Sequence, residues 1–388
     1  MNPAARRVHV ARVAALLALI GAVSPSASAE DVLIKAKKVY TVSGDVLEPC
    51  AVLVSDGKIK AVGKDVEGGE KTIEVEVLMP GLVDAYSQAG LAQTAERTRE
   101  VTPTLKTAGM VNFQNRAFKE AVSNGTTTLH IVPGSDNVFA GIPCAVKSAG
   151  QRVFTAKTGM MLSACTDPSR GNFSRSRPES IYVRQPTNRM GVVWILRSTM
   201  HAARNGAEGD AMDAVRASMK GQHKVFALSR THFDTLALKD ICREFGMKMP
   251  IVFGGQEAWR IVDDLKASET SVVLGRLQPN STNGREQTRL CANNAGRLHA
   301  AGIPVALSEG DLLEQARFAV RNGLDPKVAL EAITVTPAKI LGIDKQVGAI
   351  AEGLDADLVA LSGDPLEFTT GVQWVMVDGV VQYKQAGN

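Results

Sequence analysis

Residue types that do acid–base or metal chemistry are thinly spread in this 388-residue chain. Its six histidines form no His-x-His, His-x-x-x-His or His-Glu-x-x-His pair, the spacings that set two imidazoles on one strand or helix face for a divalent ion. His9 lies in an apolar leader, and His201 and His299 fall on helical stretches. His130 stands alone in an apolar strand, where an imidazole is more often a hydrogen-bonded structural group. His232 has the better claim, because it follows Arg230 just beyond the strand-like run "HKVFALS". Glu309 and Asp311 flank Gly310 in the same way beyond "IPVALS". Arg230, His232, Glu309 and Asp311 are therefore the candidate catalytic residues: an imidazole and two carboxylates for proton transfer, with a guanidinium to steady developing negative charge. The five cysteines, Cys50, Cys144, Cys165, Cys242 and Cys291, are widely spaced with no CxxC pair, and read as scattered thiols, not a disulfide framework or zinc site.

The elements that must position these groups are legible as alternating runs. Residues 31–79 and 346–388 are β-rich, each with an Asp-Gly hairpin turn, at 56–57 and 378–379. Between them, eight apolar runs begin near residues 81, 126, 144, 158, 223, 249, 271 and 303, with helical stretches between, several of them ending in Gly. This order predicts an α/β fold: a (β/α)8 barrel over 80–345, with a small β-sandwich built from residues 30–79 and 346–388. In such a barrel, loops at the carboxyl ends of the strands carry the site.

Residues 1–29 read as a secretory signal peptide: Arg6, Arg7 and Arg12 precede the apolar run "VAALLALIGAV", and "SASA" ends at Ala29. Eleven apolar residues are too few to span a bilayer, which needs about 20. The chain is expected to be exported, periplasmic or secreted, after cleavage near Ala29, with no membrane span in the mature chain. Losing three arginines takes the formal charge from +4 to +1, and aromatics make up only 5%. No basic, aromatic-rich surface for nucleic acid is expected.

The runs "LMPGLVDA", "GTTTLHIVPGSDN", "EAITVTPAKILGIDKQVGAIAEGLDADLVALSGDPL" and "VMVDGVVQY" resemble the amidohydrolase superfamily, in its imidazolonepropionase-related, prolidase-like branch. The resemblance implies a metal-dependent hydrolase of carbon–nitrogen bonds, with zinc or another divalent ion lowering the pKa of a bound water. It also implies where the ligands should be. The strand 1 histidines fall at Tyr86 and Gln88, expected to share one strand face. The strand 4 lysine falls near Met161, with Lys157 the nearest alternative. The strand 5 histidines fall at Leu228 and Arg230, the strand 6 histidine at Gly254, and the strand 8 aspartate at Gly310. None is a good zinc donor: a phenol is seldom ionised, leucine cannot coordinate and a guanidinium repels a cation.

No cofactor is therefore expected, and Arg230 is expected to pair with Glu309 or Asp311 across the former metal pocket. Asp84 is expected to brace its strand. The leading expectation is a pseudoenzyme, a binding or assembly partner that is a homo-oligomer or pairs with an active paralogue. The alternatives are a hydrolase of carbon–nitrogen bonds with a metal-free site, and a periplasmic small-ligand-binding barrel.

Overall fold

The computed structural model describes residues 31–170, 172, 184–278 and 288–386; the expected leader at 1–29 lies outside the described residues. Strands β1 (Val32–Tyr40), β2 (Val46–Leu47), β3 (Cys50–Ser55), β4 (Lys58–Gly63) and β5 (Lys71–Pro80) open the chain. Strands β6 (Leu82–Ser87), β7 (Thr126–Ile131), β8 (Phe139–Gly141), β9 (Cys144–Lys147), β10 (Val153–Thr155), β11 (Met160–Ser163), β12 (Val225–Ser229), β13 (Ile251–Gly254), β14 (Val272–Leu274) and β15 (Val305–Leu307) follow, and β16 (Leu358–Leu361), β17 (Val372–Val377) and β18 (Val380–Lys384) close it. The helices are α1 (Arg116–Ser123), α2 (Arg189–Arg204), α3 (Asp210–Met219), α4 (His232–Phe245), α5 (Val262–Ala267), α6 (Asn294–Ala300), α7 (Leu312–Arg321), α8 (Pro326–Glu331) and α9 (Val335–Leu341).

Both chain ends build one eight-stranded sheet, in the order β18-β17-β16-β5-β1-β3-β4 with β2 on β1. The Asp-Gly turns both take positive φ at Asp and Gly, as a primed hairpin turn requires. They lie at opposite edges of the sheet yet touch: a Cβ on Gly57 would sit 2.9 Å from the Asp378 carbonyl oxygen. The sheet therefore curls until its edges meet. One face closes on itself around Ile34, Val52, Leu78, Ala360 and Trp374, which gives the layered form expected of a sandwich from a single ladder. On the other face Val77, Met79, Val359 and Val375 pack into the cluster that lies under the barrel helices.

Two further sheets, β10-β9-β7-β6 and β15-β14-β13-β12-β11-β8, hold the eight barrel positions. Seven are parallel strands. The third is made by β8 and β9 in succession, and here the expected helical crossovers are absent: β9 runs antiparallel to β7, and β8 antiparallel to β11. Only Ile142 and Pro143 separate β8 from β9, so one bent strand hands over between the two sheets. The ladder is not closed between β15 and β6. There the chain at 332–333 bridges the seam, with Leu307 N–H donating to the Ala332 carbonyl (2.8 Å) and Val83 N–H to that of Ile333 (2.9 Å).

Alternation along the strands separates inside from outside. Val83, Ala85, Met161, Phe226, Leu228, Phe253, Val273 and Ala306 fill the barrel interior. Val252, Val272, Val305 and Leu307 face the surrounding helices.

Among the ties that join curled sheet and barrel, two stand out. Gly81 N–H donates to the Asp357 carbonyl (2.8 Å), and a side chain at Gly81 would overlap that of Thr127. Gly81→Ala is expected to cost about 1–3 kcal/mol, measured by urea denaturation. Second, Lys147 of β9, fully buried, reaches Asp355 (2.8 Å) and Asp357 (2.7 Å), with Asp378 at 3.4 Å. Those carboxylates hold the Lys147 ammonium above its ordinary pKa against the opposing effect of burial.

Candidate functional site

The carboxyl ends of β6, β11, β12, β13 and β15 converge on the groups expected at the mouth, with a different wiring. Arg230, one residue past β12, donates from Nη2 to Asp167 Oδ2 at 2.7 Å, and not to Glu309 or Asp311. Asp167 lies beyond β11 and opens a short 3-10 turn, with Pro168 next to it. Its side chain is fully buried, that of Arg230 is 14% exposed, and Arg170 grips the other carboxylate oxygen. Burial opposes the Asp167 charge, but the Arg230 guanidinium beside it holds the carboxyl below its usual value. Glu309 instead accepts the Arg276 backbone N–H (3.2 Å). Asp311 caps α7, accepting from Glu314 N–H at 3.1 Å, so the helix terminus claims it.

Tyr86 turns its ring edge-on to Phe253, with centroids 5.7 Å apart. Burial first, then the nearby Glu309 charge, pushes its phenol above the ordinary range. That is the wrong direction for a metal-binding phenolate. Gln88 lies past the end of β6, so it does not share a strand face with Tyr86; its carbonyl accepts from Leu91 N–H (3.1 Å). Asp84 braces the turn, accepting from the backbone N–H of Tyr86 (3.0 Å) and Glu309 (3.4 Å). Burial raises its carboxyl from 3.8 to about 7 in spite of those donors.

Leu228 and Met161 point into the apolar interior. Lys157 is exposed on the surface, beside His223 (3.1 Å). Gly254 has φ +90° and Gly310 φ +83°. A Cβ on Gly254 would come within 3.0 Å of the Ser229 carbonyl oxygen and 3.3 Å of Leu228 Cδ1, so both space and backbone oppose a histidine there. His130 is fully buried, with Nδ1 donating to the Ala85 carbonyl (2.8 Å) and Nε2 accepting from the Thr158 hydroxyl (2.7 Å). Burial lowers it to about 4, so it is a neutral tie between strands.

His232 opens α4 behind the cap of Thr231 and Asp234. Its Nδ1 donates to Glu257 Oε2 at 2.6 Å. The other Glu257 oxygen accepts from Arg289 N–H at 2.8 Å. Sequence reasoning passed over Glu257 and Asp167. The first stands in "GGQEAW", three residues past Gly254, and the second in the turn-forming "TDPS" after β11.

A zinc or similar ion does not fit these residues. The positions at which the resemblance puts donors hold a neutral phenol, an aliphatic chain, a guanidinium that repels a cation and two left-handed glycines. Among the described residues no group of three or more His, Cys, Asp or Glu side chains is arranged to hold a metal ion. No helix among them is long and apolar enough to cross a membrane.

The chain and its fold have known counterparts. Residues 225–382 match the model of the amidohydrolase family. The chain is similar to an adenine deaminase of Moorella thermoacetica, 25% identical over 90% of this chain and 57% of that protein. It spans 40–57% of the length of the first curated relatives it matches. An amidohydrolase from Thermotoga maritima superposes with a TM-score of 0.81 at 27% identity, over 91% of this chain and all of the other. A Xaa-Pro dipeptidase shares the fold alone, with a TM-score of 0.59 at 16% identity over 92% of this chain and all of the other. The stretch from β12 to β18 is thus similar to the amidohydrolase family, and the α/β architecture is shared with the amidohydrolase from Thermotoga maritima.

Proposed function

We propose that the chain is a non-catalytic amidohydrolase homologue, exported from the cell, in which an ion pair has taken the place of the metal. The observation that carries this reading is the Arg230–Asp167 contact of 2.7 Å at the barrel mouth. By the resemblance, Arg230 stands where a hydrolase of this superfamily would place a metal-binding histidine, and the apolar residues Leu228 and Phe253 pack in the barrel interior. A scaffold so altered serves as a binding or assembly partner, as a homo-oligomer or beside an active paralogue. The deamination named for its Moorella relative is not carried over, because the water-activating ion has no donor set here.

The test is metal analysis of protein produced with added zinc, together with assays on dipeptide, lactam and nucleobase amides. The expected result is clearly substoichiometric metal and no turnover restored by metal. One tightly held zinc per chain would sink the reading.

A second reading is supported by the His232–Glu257 pair, since a carboxylate on Nδ1 sets an imidazole so that Nε2 can take a proton. Under it the chain hydrolyses a carbon–nitrogen bond without metal. Turnover would then survive chelator and disappear in His232→Gln.

A further inference from the structure

Helices α2 and α4 follow the paired strands β11 and β12 and lie side by side on the outside of the barrel. At their amino ends Arg189 Nε reaches Asp234 at 2.8 Å. Toward their carboxyl ends Arg197 Nε and His201 Nε2 reach the two oxygens of Glu244, at 2.6 and 2.9 Å. The helices therefore run parallel, and the outer face they share has a top, near the barrel mouth, and a bottom. On α2, Met190, Trp194, Arg197 and His201 stand at i, i+4, i+7 and i+11; on α4, Phe233, Asp240 and Glu244 stand at i, i+7 and i+11. Each set is one stripe along its helix, and the two stripes flank the groove across which Glu244 meets Arg197 and His201.

The top of this face is apolar and open. Met190 is 76% exposed, Trp194 61% and Phe233 59%, while Leu196 and Ile241 on the inward sides of the same helices are buried. Three large side chains left in water on one face forfeit the gain that burying them would give. The bottom is charged, and its signs are sorted by helix. Helix α2 carries three arginines and a histidine and no acid, and its Arg204 lies over the Phe245 ring at 4.7 Å. On α4 the groove side carries the acids Asp240 and Glu244. Its two cations, Lys239 and Arg243, stand on the far side, held by Asp264 (2.6 Å) and Asp240 (2.7 Å).

This sorting selects the partner. The matching surface must be apolar at the top, acidic opposite α2 and basic opposite α4. A second copy, turned about a two-fold axis parallel to the groove, meets all three conditions, because that rotation keeps top on top and exchanges the two helices. It sets Met190 and Trp194 toward Phe233 of the second copy, and Arg197 and Arg204 toward its Glu244. An axis across the groove would instead lay the apolar half on the charged half. A lipid surface would suit the top and α2 but not the acids of α4. Trp, Phe, Met and Arg are also the residue types that interfaces concentrate.

We propose that the chain forms a two-fold dimer through the outer face of α2 and α4, with Trp194 at its centre. The proposal rests on the homo-oligomer form of the reading above and names its surface. Sedimentation velocity on the full chain tests it, and the parent is expected to be a dimer. Trp194→Glu is expected to raise the dissociation constant at least about a hundredfold. The double variants Arg197→Glu/Arg204→Glu and Asp240→Arg/Glu244→Arg are each expected to be monomers where the parent is a dimer, since each sets like charges across both contacts. Mixed in equal amounts they should associate, because the mixture restores opposite signs at both contacts. Thermal melts show each variant folded. A parent that is a monomer, a dimer unmoved by Trp194→Glu, or a mixture that stays monomeric would overturn the proposal; so would a monomeric parent that floats with phosphatidylglycerol vesicles through Trp194, which would assign the face to lipid. A dimer that survives Trp194→Glu leaves the homo-oligomer form standing on another surface, and zinc content reports on the lost catalysis alone.

Discussion

Lys147→Met is expected to destabilise the protein by about 3–5 kcal/mol, because it strands buried carboxylates without their cation. Asp357 and Asp355 are 3% and 5% exposed at the side chain. Lys58 and Arg152 still reach Asp355, while Asp357 keeps only the Asp378 N–H at 3.0 Å. The dependence on pH has a definite sign. Lys147 titrates above its ordinary value and Asp355, drawn by Lys147 and Lys58 against its burial, below its own. The contribution of these two groups is thus present from about pH 4 to about pH 10 and is lost outside that window, while Asp357, whose carboxyl is raised by burial, works against it as pH rises. In the variant, Asp357 can shed its charge by taking a proton, so the deficit should be smaller at pH 5 than at pH 8. Adding Asp357→Asn to Lys147→Met should recover a large part of the loss. Urea denaturation of both variants at the two pH values checks this, and a single variant as stable as the parent at pH 8 would refute it.

Asp84→Asn is expected to stabilise the protein above pH 7, and to leave it little changed near pH 4. Asp84 is held at about 7 in the fold against 3.8 for an ordinary carboxyl. The folded state therefore binds more protons than the unfolded state between those values. Stability should fall as pH rises through that window, by on the order of 4 kcal/mol in total. An asparagine oxygen can accept the same Tyr86 and Glu309 N–H groups without ever ionising. Stability curves of parent and variant should converge at low pH and part on the way to pH 8. Parallel curves would show that the carboxylate is satisfied in place.

The barrel strands were legible because each apolar run has the length of a buried strand, and all eight runs hold one. Direction was less visible, since apolar alternation reads alike both ways. The twelve residues from 132 to 143 do carry a signal: Pro133, Gly134, Gly141 and Pro143 leave no room for a crossover helix. Of the candidate site, alternation along the strands sends Leu228 and Met161 inward, whereas the sequence alone left the register at Met161 open. Arg230 was found, but not its partner. An acid on strand 8 was sought for it, and the chain instead delivers Asp167 from the turn after β11, a pairing made only in three dimensions. Asp311 looked free because helix caps and catalytic acids share a residue type.

The curled sheet also sets an order of events. β5 pairs with β16 through contacts such as Pro80 with Leu358, so the first five strands leave the ribosome with their apolar edge at Val77–Pro80 open. The partner strand is not made until the whole barrel has been synthesised. During that interval the edge can recruit a strand from another chain. Lys147 is in the same position, waiting for carboxylates that are translated about two hundred residues later. Strands β16 to β18 would thus act as a latch, and a ribosome stalled before β16 would release an aggregation-prone intermediate.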